Sequence, residues 1–257
     1  MFNITPISAF NDNYIWALAS PDSSEVAVID PGDADKVNQY LKKNGFQLSA
    51  ILITHHHDDH TGGVKQLKAE HNATVYGPQN SPFDGLEVTL KEGDQVELFG
   101  QSLQVHEVPG HTLDHISYYL GDTQPQLFCG DTLFLAGCGR LFEGTAEQMH
   151  KAMEYFRSLP DTTEIYCTHE YSLANLAFAA AVEPANPAIN AATTQCNQLR
   201  QAGKPTLPTD IATEKQINPF LRYDEASVKQ AAEQFSNATL ASEVAVFSAI
   251  REWKNSF

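Results

Sequence analysis

The feature that most constrains this chain is the segment 51–63, ILITHHHDDHTGG, in which an apolar run ends in a cluster of histidines and aspartates. The run over 49–54 is typical of a buried strand. Imidazole and carboxylate groups are the usual protein ligands of zinc and similar divalent ions. Four candidate ligands within six positions exceed what one catalytic ion with an open position uses, so the segment favours a pair of metal ions.

The spacing within this cluster predicts which side chains share a side. If the chain stays extended after Thr54, side chains alternate, because successive residues of a strand point to opposite faces. His55, His57 and Asp59 then project to one side. His60 breaks the alternation and enters the following turn.

Three other places supply further candidate ligands, each at a strand end or in a loop. They are His111 in VPGHTLDH, Asp131 in FCGDTLF and His169 in YCTHEY. A single histidine at a strand end is ordinarily only a polar residue, but four such places in one chain indicate a metal centre. The carboxylate of Asp131 is a candidate bridge between two ions.

The periodicity predicts an α/β domain over residues 1–170 and a helical domain over 171–257. Strands are predicted over 25–30, 49–54, 73–77, 126–134 and 163–171, and antiparallel strands between 86 and 120. Helices are predicted after the DPGD turn as far as Gly45, after the two glycines at 62–63, and after the capping box of Thr145 and Gln148. Beyond the last strand the pattern is helical only, over 172–183, 187–202, 224–236 and 239–254.

Charge and cysteine content exclude several classes of partner. The chain of 257 residues carries 16 basic and 32 acidic residues, a formal charge of -16. Such a surface repels phosphate backbones and anionic lipid, so neither nucleic acid nor a membrane is an expected partner. We find no signal peptide and no apolar run long enough to cross a bilayer. Four cysteines without a CxxC pair favour a reducing, cytoplasmic setting.

The motifs THHHDDH, PGHT, CGDTLF and THEY, in this order, resemble those of the metallo-β-lactamase superfamily. More specific segments are GCGRLFEGT, HEYSLANLAFA, NPFLR and the final REWKNSF, which resemble the glyoxalase II (hydroxyacylglutathione hydrolase) family. The resemblance covers nearly the whole chain. It implies an αββα sandwich with a binuclear metal site at one edge, and a C-terminal helical domain that helps to bind glutathione. The implied reaction is hydrolysis of S-2-hydroxyacylglutathione, such as S-D-lactoylglutathione, in methylglyoxal detoxification.

The resemblance also implies roles for individual residues. The first metal is expected on His55, His57, His111 and Asp131. The second is expected on Asp59, His60, Asp131 and His169. Asp59 and Asp131 are the expected catalytic residues, because Asp59 is placed to orient or deprotonate the attacking water as well as to bind metal. His56 and Asp58 occupy the variable positions between ligands.

Residues matching the positions that contact the glutathione moiety are Arg140, Tyr171, Arg251 and Lys254. Phe142 falls where some family members carry tyrosine, so a hydroxyl hydrogen bond from that position is absent. Arg251 and Lys254 are three apart on a predicted helix, so both can face one ligand.

The remaining polar residues near the motifs have plainer roles. His115 is expected to support the site rather than to bind metal. Asp30 is either a strand-end turn residue or a brace for the metal loop. Surface or packing positions are expected for His71, His106 and His150.

The expected cofactor is two divalent ions per chain, zinc first, with iron or manganese as alternatives, since the same ligands suit all three. The expected partner is a small glutathione thioester, and the expected state is a monomer.

Four alternatives share the ligand set or part of it. A β-lactamase would carry an export signal, and a nuclease would carry a basic face. A sulfur dioxygenase with a single iron, and a metal or redox carrier without hydrolytic activity, stay open.

Overall fold

A computed structural model describes residues 2–257 and divides the chain into two compact units. The first unit comprises the residues up to Val108 together with Thr112–Gly130. The second comprises Pro109–His111 and Asp131–Phe257. Candidate metal ligands occur in both units.

The first unit contains a sheet in which six strands lie in sequence order, β1 to β6. The strands are β1 Asn3–Ala9, β2 Asn13–Ala19, β3 Glu25–Ile29, β4 Gln47–Leu52, β5 Thr74–Pro78 and β6 Val88–Leu90. The first three pair antiparallel, and those from β3 to β6 pair parallel. The predicted antiparallel pairing is therefore wrong for β6, whose partner is β5 of this sheet. The β1–β2 hairpin lies outside the predicted elements.

Helices α1 Ala34–Asn44, α2 Asp58–Thr61 and α3 Val64–His71 follow strands of this sheet. The predicted end of α1 is confirmed, because Gly45 adopts the left-handed conformation and its N–H reaches the carbonyl of Leu41. Val37, Leu41, Val64 and Leu67 pack with apolar side chains of the strands in one buried cluster. This packing holds the carboxyl end of β4, where the histidine cluster begins.

A second group of strands in the first unit pairs antiparallel, as predicted for those between residues 86 and 120. It consists of β7 Gln95–Leu98, β8 Gln101–Glu107, β9 Ile116–Leu120 and β10 Gln126–Gly130. The predicted strand over 126–134 stops at Gly130, which has a positive φ of 49°. The break turns the chain just before Asp131.

The second unit is mainly helical. Its helices are α4 Ala146–Ser158, α5 Ser172–Val182, α6 Pro187–Gln201, α7 Ile211–Ile217, α8 Ala226–Ser236 and α9 Glu243–Ser256. Its strands are β11 Leu133–Phe134 with β12 Gly137–Cys138, and β13 Glu164–Cys167 with β14 Thr209–Asp210. The capping box at α4 is confirmed, because both of its reciprocal hydrogen bonds are present. The expectation of helices alone beyond residue 171 is wrong at β14, and α7 lies outside the predicted helices.

Among residues 2–257, we find no helix with the length and apolar character that a bilayer crossing requires.

Candidate metal centre

The histidine cluster lies on a tight turn at the carboxyl end of β4. His57 caps the short helix α2, and the hydroxyl of Thr61 donates to the carbonyl of His57 over 3.1 Å. The Gly62 N–H also donates to the carbonyl of Asp58 over 2.7 Å. The chain therefore turns helical at Asp58, and the predicted alternation is wrong for Asp59.

The ligand atoms of the first unit approach each other in two pairs. His55 Nε2 lies 3.0 Å from His57 Nδ1, and Asp59 Oδ2 lies 3.5 Å from His60 Nε2. Two ligands of a tetrahedral zinc ion with bonds of about 2.0–2.1 Å are about 3.3–3.4 Å apart. Both separations are close to this value, so each pair fits a shared divalent ion.

Asp30 orients two of these imidazoles. Its Oδ1 accepts from the Thr54 N–H over 2.8 Å, and its Oδ2 accepts from the Thr54 hydroxyl over 2.7 Å. Asp30 Oδ2 also lies 3.0 Å from His60 Nδ1, and the Thr54 hydroxyl oxygen lies 3.1 Å from His55 Nδ1. Because the Thr54 hydroxyl donates to Asp30, it accepts from His55 Nδ1, and His55 Nε2 presents a lone pair to a metal. The Asp30 carboxylate beside His60 Nδ1 favours the same tautomer of His60. The structure supports both roles expected for Asp30, because it also forms the turn directly after β3, with a positive φ of 53°.

The neighbouring histidines face other partners. The buried His115 ring stacks on His55 with centroids 4.6 Å apart, in a supporting position. His56 Nδ1 lies 2.9 Å from Asp114 Oδ1. Asp58 is exposed. The structure thus places His56 against a carboxylate of its own unit and Asp58 toward solvent.

Asp131 is the centre of the ligand set in the second unit. Its Oδ2 lies 3.4 Å from His111 Nε2 and 3.3 Å from His169 Nε2. All three residues are at least 94% buried, with exposures of 6%, 4% and 4% in that order. One carboxylate oxygen is thus faced by two imidazole nitrogens at distances close to the edge of a tetrahedral zinc site.

Main-chain hydrogen bonds and an aromatic stacking contact support these ligands. His111 Nδ1 donates to the carbonyl of Arg140 over 2.8 Å, and the Phe142 N–H donates to the His111 carbonyl over 3.2 Å. The Tyr171 ring stacks on the His169 ring with centroids 4.6 Å apart. A Cβ at Gly139 would lie 2.0 Å from the carbonyl oxygen of Asp131, so only glycine fits there.

Three predicted substrate residues of the second unit are accessible. Arg140 is exposed, and its guanidinium carbon lies 6.0 Å from the ring centroid of Phe142. Phe142 is 61% exposed and Tyr171 is 38% exposed. Each of these residues lies beside a ligand histidine through the contacts above.

Arg251 and Lys254 are spaced so that both can face one ligand, but Arg251 is buried and Lys254 is only partly exposed. Arg251 is 5% exposed, and its Nη1 donates to the carbonyl of Cys138 over 2.7 Å. Lys254 is half-buried, and its ammonium donates to the carbonyl of Ala174 over 3.2 Å. Burial, with the nearby charge of Arg251, lowers the pKa of Lys254. Arg251 therefore forms a hydrogen bond with the main chain two residues before Arg140.

The sequence reasoning missed the polar side chains that hold these segments from a distance. Asn13 donates from Nδ2 to Asp59 Oδ2 over 3.0 Å. Glu214 accepts from the Ala136 N–H over 2.8 Å, and Asn218 donates to the carbonyls of Phe134 and Gly137. Burial raises the pKa of Glu214 to about 7. The only signal in the sequence is a polar residue inside or beside an apolar run.

Two family models match the chain over adjoining ranges. The metallo-beta-lactamase superfamily model matches residues 12–169, and the hydroxyacylglutathione hydrolase C-terminus model matches residues 170–257. Together with the histidine and aspartate clusters, these matches define a protein of the metallo-β-lactamase superfamily that binds divalent metal.

Full-length relatives identify the family within this class. Hydroxyacylglutathione hydrolases from Hahella chejuensis and Chromohalobacter salexigens are 50% and 48% identical to the chain, over 100% of both partners in each case. The chain therefore belongs to the hydroxyacylglutathione hydrolase family, a family of hydrolases.

Solved structures confirm the predicted fold class. The crystal structure of ETHE1 from Myxococcus xanthus has a TM-score of 0.66 at 24% identity, and covers 100% of this chain and 99% of that chain. The B3 metallo-beta-lactamase BLEG-1 has a TM-score of 0.65 at 22% identity, and covers 86% of this chain and 99% of that chain. The metallo-β-lactamase fold with a C-terminal helical domain is thereby established.

Proposed function

We propose that the chain hydrolyses S-2-hydroxyacylglutathione, with S-D-lactoylglutathione as substrate, to glutathione and a 2-hydroxy acid in methylglyoxal detoxification. The observation that carries the proposal is the match of residues 170–257 to the hydroxyacylglutathione hydrolase C-terminus. The histidine and aspartate motifs are shared across the superfamily and select no substrate, whereas this region is specific to the family.

The proposed cofactor is a pair of zinc ions, for which iron or manganese are the alternatives. The proposed ligands are His55, His57, Asp59, His60, His111, Asp131 and His169. The ligand-atom separations of 3.0–3.5 Å within each unit support this assignment. Bound divalent ions supply hydroxide at neutral pH and polarise a carbonyl.

We propose that side chains of the protein orient the attacking water and accept its proton. Asp59 orients the attacking water and accepts its proton. Asp131 presents one carboxylate oxygen 3.4 Å from His111 Nε2 and 3.3 Å from His169 Nε2, so that a metal ion would lie between the oxygen and each nitrogen. A thiol pKa of about 8.5 lets glutathione leave as a thiolate, so the chain needs no general acid.

Substrate binding requires a local positive charge, because glutathione is a net anion and the chain carries a formal charge of -16. We propose that Arg140 and Lys254 supply it, with Tyr171 and Phe142 packing against the peptide. Arg251 contributes through the segment it holds, because its guanidinium also lies 3.4 Å from the carbonyl oxygen of Gly139, next to Arg140.

The wider organisation of the chain is also a proposal. We divide it into a catalytic domain over residues 1–170 and a helical glutathione-binding domain over 171–257, which the ranges of the two family matches support. The four buried cysteine thiols support a reducing, cytoplasmic setting. We propose a monomer without nucleic acid or membrane partners, which the net charge supports.

The decisive experiment measures zinc content and thioester turnover on one sample. We expect about two ions per chain, with turnover lost on chelation and restored by added zinc. A single ion in the fully active chain contradicts the binuclear assignment. Consumption of glutathione persulfide with oxygen uptake, while the thioester stays intact, identifies a sulfur dioxygenase instead.

The Arg251→Ala, Lys254→Ala double variant tests the glutathione part of the proposal. Because these groups act away from the reacting carbonyl, their loss should raise KM more than it lowers kcat. A loss of about 1–3 kcal/mol of binding free energy corresponds to a roughly 5- to 150-fold increase in KM. The control is Lys229→Ala on α8, an exposed lysine whose charge does not enter the proposal. An unchanged KM in the double variant at low salt removes α9 from substrate binding.

A further inference from the structure

Asn13 is a buried polar residue at the start of β2, in the first unit. It is 5% exposed, and its backbone pairs with Ala9 where the β1–β2 hairpin closes. Its side-chain Nδ2 donates to Asp59 Oδ2 over 3.0 Å, across 46 positions of the sequence. An anchored strand thus presents a hydrogen-bond donor to an aspartate of the proposed metal loop.

The oxygen that Asn13 contacts is the one that faces the neighbouring ligand. Asp59 Oδ2 lies 3.5 Å from His60 Nε2. An amide NH₂ is a donor only, so it holds this oxygen as an acceptor and leaves the lone pairs of Oδ1 to other partners. The contact therefore selects the orientation in which the carboxylate is presented.

The backbone of Asp59 is fixed by separate contacts. A Cβ at Gly32 would lie 1.9 Å from the Asp59 carbonyl oxygen, so the loop after β3 packs directly against it. The Asp59 side chain is 42% exposed, which leaves its rotamer to be set by specific contacts. The Asn13 amide supplies one such contact, a part-buried hydrogen bond to Asp59 Oδ2.

We propose that Asn13 is a positioning residue for the Asp59 carboxylate, holding it in the orientation that binds metal. The proposal rests on the metal-binding role given to Asp59 above. A ligand held in place before the metal arrives loses less conformational freedom on binding. Hydrogen-bond partners of metal ligands affect metal affinity or activity by about 10- to 100-fold.

The test is zinc affinity, measured by competition between the zinc-loaded protein and a colorimetric chelator. Asn13→Ala should weaken binding of the ion assigned to Asp59 by roughly 10- to 100-fold. Asn38→Ala is the matched control, because Asn38 Nδ2 donates to Glu70 Oε2 over 2.7 Å on the surface of the same unit. It should bind zinc like the wild type.

Two further readouts separate positioning from general damage. Excess zinc should restore most of the kcat of Asn13→Ala, and its metal-free form should melt within a few degrees of the metal-free control. If the alanine variant does not fold, Asn13→Ser replaces it, since the shorter hydroxyl falls short of Asp59.

Three outcomes decide the proposal. Weakened zinc binding that excess zinc overcomes supports it. Zinc affinity equal to that of the control, in a wild type that binds zinc and turns over thioester, overturns the role of Asn13 alone. A wild type that binds neither zinc, iron nor manganese overturns both this role and the proposed function.

Discussion

The ligand segments of the two units are supported in different ways. In the first unit the candidate ligands lie within six positions of one another, and side chains hold them. Asp30 contacts His60 directly and His55 through the Thr54 hydroxyl. Asn13 donates a hydrogen bond to Asp59. In the second unit the ligands are far apart in the chain. There His111 is held by the carbonyl of Arg140, and His169 by the ring of Tyr171.

This difference determines how each half responds to substitution. A supporting carboxylate or amide disappears when its residue is replaced, whereas a supporting carbonyl stays with almost any residue. We therefore expect support in the first unit to be sensitive to side-chain changes, and support of His111 to be insensitive to them.

The largest expected effect is that of Asp131→Ala. Because one oxygen of Asp131 faces both histidines of its unit, its loss should remove both ions and lower kcat/KM by roughly 10³-fold or more, several kcal/mol of stabilisation. His169→Ala should mainly remove one ion. Elemental analysis of both variants checks this, and equal zinc loss in the two contradicts the bridging role.

A smaller effect is expected for Asp30→Asn. The amide has one acceptor oxygen instead of two, so either Thr54 or His60 loses a partner, and zinc affinity should fall about 10- to 100-fold. The control is Asp33→Asn, a partly exposed helix-capping aspartate three positions away. Chelator competition distinguishes them, and identical affinities would show that Asp30 does not support the ligands.

Arg140→Ala tests the main-chain support. The carbonyl that accepts from His111 remains, so zinc content should stay at the wild-type value while KM rises roughly 5- to 150-fold, for about 1–3 kcal/mol. Lys151→Ala on α4 removes an exposed charge from the same unit as a control. Loss of zinc from Arg140→Ala alone means that the side chain, not the carbonyl, holds His111.

The remaining expected effect is on the stability of the fold and concerns Glu214, a side-chain support in the second unit. Its folded pKa of about 7 lies above the ordinary 4.5, so the folded chain retains a proton that the unfolded chain releases. Its contribution to the free energy of unfolding therefore falls as pH rises from about 4.5 to 7. Glu214→Gln imitates the protonated form and should gain on the order of 2 kcal/mol relative to wild type between pH 5 and pH 8. Denaturant titrations at both pH values measure this, and a pH-independent difference contradicts it.

Local sequence patterns correctly predicted many of the secondary-structure elements. The Gly45 cap, the capping box of α4 and the strands flanking the histidine cluster are confirmed, because each depends on residues a few positions apart. The pairing of β6 was wrong because its strand pattern is local, whereas its partner is chosen by the packing of the whole sheet. The turn at α2 was wrong because hydrogen bonds within the loop override alternation.

The candidate ligands were predicted from the sequence because metal chemistry restricts residue type: only histidine, cysteine and carboxylates at strand ends were eligible. Their assignment to two ions stays a prediction. The supports could not be predicted, since Asn13 lies 46 positions from Asp59 and Arg251 lies 113 positions from Cys138. Nothing in the neighbouring letters marks such partners.

The sequence by itself determined the class of fold and the family through motifs that resemble those of a known family, and it determined the candidate ligand types because metal chemistry restricts them to a few residue types. The tertiary structure alone decided that Asp30 braces two imidazoles, that Asn13 holds Asp59, and that Arg251 is buried against a carbonyl. The physical reason is range. A hydrogen bond acts over about 3 Å in space, and only the packed chain brings distant residues that close.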